Sequence, residues 1–155
     1  MSKKSESERY AEAKKLLEEY LGYKEYKNRI SFEEGRIMYE FAKDSLYKSF
    51  FGEDKYSERE RSWKRFCLEI TGMPTSTADQ KRKIYEKWVV ELCYNPIDLK
   101  DITLTKLYIA IPYATTKNIA DEILAYVRTT DSDTGSQTVT DFVEYLKDEY
   151  KNAPH

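Results

Sequence analysis

Apolar residues recur along this chain at spacings of three and four, and no stretch alternates convincingly over the length of a strand. The pattern predicts seven helices. The first spans Ser7 to Leu21, with Tyr10, Ala13, Leu17, Tyr20 and Leu21 as its stripe and Gly22 as its stop. "SFEE" then signals a second start, with Ser31 as cap and Glu34 reaching back to it. Ile37, Met38, Phe41, Leu46 and Phe50 follow, up to Gly52. Ser57 to Glu60 repeats the capping pattern ahead of a third helix that buries Trp63, Phe66, Cys67 and Ile70. Gly72 ends it, where a positive φ is often needed, and Pro74 blocks continuation.

"STAD", Ser76 to Asp79, reads as another capping box. It opens a fourth helix with Ile84, Tyr85, Trp88, Val89 and Leu92 inward, closed by Asn95-Pro96. Leu104, Leu107, Tyr108 and Ile111 suggest a short fifth helix ending at Pro112. Thr115 or Thr116 caps a sixth, with Ile119, Ile123, Leu124 and Val127 inward. "TTDSDTGSQ" reads as a polar loop, and Thr138 with Asp141 opens a seventh helix carrying Phe142, Val143 and Leu146.

Composition agrees with this all-α reading. Five glycines and four prolines in 155 residues are too few for a turn-rich sandwich. Hydrophobic residues at 40% allow a sizeable core. The expected architecture is a single helical bundle over residues 1–155, with a seam or bend near 95–100 and frayed ends at 1–6 and 151–155. No run of about 18 apolar residues exists to span a membrane, and the N-terminus lacks the apolar core of a secretory signal. Cys67 and Cys93 fall on apolar helical faces and are expected to be buried and reduced, which fits the cytoplasm.

Catalytic chemistry finds little purchase. The only histidine is the terminal His155, which removes serine–histidine, cysteine–histidine and most zinc chemistry. The glycines are isolated, so no phosphate-binding loop exists. Asp131 and Asp133 have calcium-loop spacing, but Gly135, Ser136 and Phe142 occupy positions that need an oxygen ligand, a glycine and a glutamate. No cofactor or metal site is expected, and no catalytic residue stands out.

Charge is uneven. The net charge is -2, yet residues 57–93 hold eight bases against six acids, and residues 94–155 six bases against ten acids. The basic block contains "RFCLEITGMPTSTADQKRKIYEKW", a helix, a glycine–proline turn and a second helix that opens on hydroxyls and bases. That order matches a helix-turn-helix, whose second helix reads the major groove with its N-terminal residues. Thr75, Ser76, Thr77 and Gln80 stand at the reading end, with Lys81, Arg82 and Lys83 following for phosphates. Arg61, Lys64 and Arg65 on the preceding helix are candidates to lie along the backbone, and Lys106 is a secondary one. Three residues depart from the motif. Leu68 replaces a small residue at the helix crossing, and Thr71 and Lys81 replace apolar ones.

The words "WKRFCLEITG", "STADQKRKIYEKWV", "LTKLYIAIPYATTKNIADEIL" and "TVTDFVEYL" together resemble a class of small helical DNA-binding accessory proteins of phages, plasmids and other mobile elements. The resemblance covers roughly Gly35 to Leu146 and is closest at Ser76, Thr77, Ala78, Lys106 and Leu107. It implies an all-helical fold, a role in replication, partition or transcription regulation, and double-stranded DNA as partner. A homodimer would double the half-sites, with the first helix as candidate dimer arm. The competing reading is a protein-interaction module, such as an inhibitor of a host protein. There the acids Asp131, Asp133, Asp141, Glu144, Asp148 and Glu149 would imitate a phosphate row.

Overall fold

The computed structural model describes residues 5–52, 54–134 and 137–150. Among them the structure is all-helical, without a strand, and holds six α-helices. These are α1 (Glu6–Ala42), α2 (Trp63–Arg65), α3 (Thr75–Tyr85), α4 (Leu104–Ala110), α5 (Lys117–Thr134) and α6 (Val139–Glu149). No helix is long and apolar enough to cross a membrane among these residues.

The count falls one short of the expected seven because the first two predicted helices are one. Helix α1 runs 37 residues through both Gly22 and Ser31. An interior glycine costs a helix only ~1 kcal/mol, and no proline follows to force a break. Ser5 is the cap that starts α1, accepting from the Glu8 amide at 3.2 Å. The true stop comes after Ala42. Asp44 and Ser45 take φ of 53° and 57°, and a 3-10 segment, Lys43–Phe50, carries the chain away. Leu46 and Phe50 therefore leave the expected buried stripe and are exposed, as is Ile37.

Helix α2 continues without interruption into a π-helical stretch, Phe66–Thr71. Its cap is Ser62, which accepts from the Arg65 amide at 3.1 Å. Ser57 and Glu60 do exchange the two reciprocal bonds of a capping box, at 3.0 and 3.3 Å, but on a turn that precedes the helix. Gly72 ends the segment in the left-handed region, φ 71°, as its position predicts. The Met73 amide then reaches back to the Cys67 carbonyl at 3.0 Å. Ile70, expected inward, is exposed.

Two hydrophobic clusters organise these helices. One gathers Met38, Phe51, Phe66, Cys67 and Ala78, under the junction of α1, the α2 segment and α3. The larger one surrounds Trp88, Leu107, Ile123, Phe142 and Leu146. The buried Trp88 indole donates to the Leu107 carbonyl at 2.9 Å and ties the π-helical continuation of α3, Glu86–Glu91, to α4. The cysteines do not form a buried pair. Cys67 is buried, but Cys93 is exposed and takes φ 62° just past that continuation.

The C-terminal starts match their sequence signals. Thr116 accepts from the Ile119 amide, and Thr138 from the Asp141 amide, both at 3.2 Å. Most of the expected polar loop is helix, because α5 runs on to Thr134. Residues 135 and 136 lie outside the described residues, as do residues 1–4 of the expected frayed end at 1–6 and all of the one at 151–155, including His155.

Candidate nucleic-acid interface

Helix α3 sits on the molecule by one face. Ala78 and Ile84 are buried on that side, and the helix crosses α1 at Gly35. The approach is close: a Cβ on Gly35 would lie 2.5 Å from the Lys81 carbonyl oxygen and 3.2 Å from Tyr85 Cβ. Only glycine permits this crossing. Beside it, the Lys81 ammonium donates to Glu34 on α1 at 2.9 Å. An ion pair thus stands where a helix-turn-helix usually carries an apolar anchor. Thr71, the second departure from that pattern, is satisfied locally: its hydroxyl donates to the Cys67 carbonyl at 2.6 Å. The third, Leu68, is exposed.

Pro74, not Ser76, precedes the first residue of α3, and no side chain caps its N-terminus. Asp79, expected to cap with Ser76, has other partners. It accepts from the Trp63 indole at 2.8 Å and from Arg82 at 3.3 Å. This carboxylate clips the two helices of the turn unit together. Sequence reading missed its role because the partner Trp63 lies 16 positions away.

The residues proposed to contact DNA divide into two groups. Ser76, Gln80 and Lys83 are exposed. At spacings of four and three they share one face of α3. Lys64 is also exposed, and neither Lys64 nor Lys83 has a carboxylate partner among the described residues. The rest are engaged or covered. Arg82 pairs with Asp79 and, at 3.6 Å, with Glu86. Arg61 and Lys48 both donate to Glu58, and the Lys48 hydrogen bond comes first in holding that carboxyl below its usual range. Arg65 lies between Glu69 at 2.7 Å and Glu60 at 3.6 Å, with its guanidinium 4.7 Å from the Tyr56 ring centre. Thr77 is half-buried, and the Thr75 hydroxyl is enclosed, away from any reading position.

Lys106 must be removed from the phosphate-contacting set. Its residue is only 3% exposed, and its ammonium lies 5.9 Å from the Phe142 ring centre. Lys106 stands beside Leu107 and four residues before Ala110, both buried, which puts it on the inward side of the short α4, where its stem packs and its charge faces an aromatic ring. Lys81, Arg82 and Lys83, expected to lie exposed together for phosphates, are likewise separated: only Lys83 is exposed, and Lys81 and Arg82 are half-buried.

On the acidic side, Asp141, Glu144 and Asp148 are exposed and fall at spacings of three and four along α6. Among the described residues no three of His, Cys, Asp and Glu converge to hold a metal ion. Compared with family models, with curated proteins and with solved structures, the chain matches none.

Proposed function

We propose that this chain is a DNA-binding accessory or regulatory protein of a phage or other mobile element, contacting double-stranded DNA through the helix–turn–helix-like unit of α2, its π-helical continuation and α3. The observation that carries this reading is the outward face of α3. It presents a hydroxyl, an amide and an unneutralised ammonium in line, on a helix held from behind by Gly35, Ala78 and Asp79. Gln80 suits an adenine edge, Ser76 a base or phosphate, and Lys83 and Lys64 phosphates. A rigid docking of the opposite face is what groove reading requires.

The arithmetic of charge makes one copy a weak binder. Two free lysines give a salt slope on the order of -2, since each neutralised phosphate contributes about -0.9. The motif at low charge therefore favours two copies on two half-sites. Selection from a pool of random duplexes at low salt tests base reading. The native chain should enrich a defined motif, and Ser76→Ala/Gln80→Ala should enrich none. Failure of the folded chain to retain any duplex at low salt would overturn the proposal. The exposed acidic stripe Asp141, Glu144 and Asp148 supports the alternative, a host-protein contact that imitates a phosphate row. In that case a pull-down with α6 intact would capture a partner that Asp141→Lys/Glu144→Lys loses.

A further inference from the structure

The stripe that docks α1 onto the molecule does not stop where the molecule does. From Asn28 onward it is covered: Asn28 donates to the Lys100 and Ile102 carbonyls at 3.1 and 2.9 Å, and Phe32, Gly35 and Met38 are buried. Toward the N-terminus the same face continues in phase through Leu21, Leu17, Ala13 and Tyr10, at steps of three and four. There every residue is exposed, Tyr10 at 70% and Leu17 at 54%. Sixteen helical residues, about 24 Å at 1.5 Å each, carry an apolar stripe on which none of the described residues packs.

We infer that this half of α1 pairs antiparallel with the same half of a second copy, in a register that brings Glu6 against the partner's Lys24. Glu6 and Lys24 lie on the same face and bound the stripe at its two ends. An antiparallel two-fold centred level with residue 15 satisfies both charges twice. It also sets the small Ala13 against the large Leu17, and Tyr10 against Tyr20. A parallel pair would instead set glutamate on glutamate and lysine on lysine, with helix dipoles aligned.

The start of the helix agrees with this register. The partner's α1 begins at Glu6, and in this pairing it ends beside Lys24, just before Asn28, where the body takes over the face. A groove lined by Leu21, Lys24, Asn28, Lys100 and Leu104 opens at that point. The first turn of the arriving helix carries Glu6 and Glu8, opposite in sign to Lys24 and Lys27, while Lys100 in the same groove is already paired with Glu25 at 3.9 Å. The bodies would then sit at opposite ends of the pair. Tyr10, Leu17, Tyr20 and Leu21, with Leu16 beside them, would each bury on the order of 100 Å². That amounts to roughly 1,000 Å² for two copies, the size at which specific interfaces begin. The inference does not depend on DNA binding.

Sedimentation of the full chain over a micromolar concentration series tests it. A monomer–dimer equilibrium is expected, and Leu17→Lys should weaken it at least 100-fold. Circular dichroism should report the helix content of that variant's body unchanged, because Leu17 is exposed and lies outside both hydrophobic clusters of the described residues. Glu6→Lys alone and Lys24→Glu alone should each weaken the dimer about 3- to 10-fold, and the two together should restore it. A chain that stays monomeric throughout, or a dimer indifferent to Leu17→Lys, would overturn the pairing. A double swap that is weaker than either single swap would overturn the antiparallel register.

Discussion

The two faces of α3 carry much the same residue types and have opposite fates. On the inner face a lysine is spent on Glu34, an arginine on Asp79 and Glu86, and the backbone is pressed onto Gly35. On the outer face a serine, a glutamine and a lysine are exposed. Three consecutive bases therefore do three different things, since each step along a helix turns the side chain by 100°. A run of like charges read from sequence overstates the field that a ligand meets. What matters is which charges the fold leaves unneutralised.

The contrast predicts that inner-face changes move stability and outer-face changes do not. Phe66, fully buried beneath α3, is the largest case: Phe66→Ala should cost about 3–5 kcal/mol, read as a lower urea midpoint. Gly35→Ala follows. Its new methyl meets a backbone oxygen, and overpacking of about 1–3 kcal/mol should outweigh the ~1 kcal/mol that alanine offers a helix. A rise in stability on this substitution would mean that α1 and α3 do not cross closely there.

Cys67 probes the same layer by titration. Burial, and then Asp79, push its thiol above the ordinary value. A group whose folded pKa is raised leaves stability intact below the unfolded pKa and loses it as pH rises past that value. The decline should begin above about pH 8.5 and be shallower in Cys67→Ala. A thiol reagent should label the exposed Cys93 quickly and Cys67 only on unfolding. Lys81→Ala breaks a partly exposed ion pair and should cost under about 1 kcal/mol. Lys83→Ala should leave the urea midpoint within about 0.5 kcal/mol of the native chain.

Local signals were legible in the sequence. The Gly72 stop, the Thr116 and Thr138 caps and the buried stripes of Trp88, Leu107 and Phe142 all follow from neighbours within one or two turns. What failed depended on distant partners. Ser31 and Gly22 look like punctuation, yet α1 passes through both. At Ser31 the body supplies contacts to residues 28–42 that outweigh a weak local break, whereas at Gly22 the small cost of a glycine in a helix, with no proline after it, is not enough to end one. Asp79 fits a capping box by spacing, but Trp63 and Arg82 hold it elsewhere. The candidate site suffered most. The positions of Ser76, Gln80 and Lys83 on one face follow from helical spacing alone. The carboxylates that hold Arg61, Arg65 and Arg82 stand three or four positions away on the same turn and were within reach of the same spacing argument, whereas the Lys81–Glu34 pair and the burial of Lys106 follow only from packing.

The salt dependence of duplex binding, measured for two pairs of variants, tests the outer-face account most directly. Lys64→Ala/Lys83→Ala removes the two unneutralised lysines, and Lys81→Ala/Arg82→Ala removes the two that carboxylates already hold. The account predicts that the first pair flattens the salt slope by about 2 per bound copy, while the second leaves it close to native. An unchanged slope in the first pair, or a larger loss in the second, would contradict it.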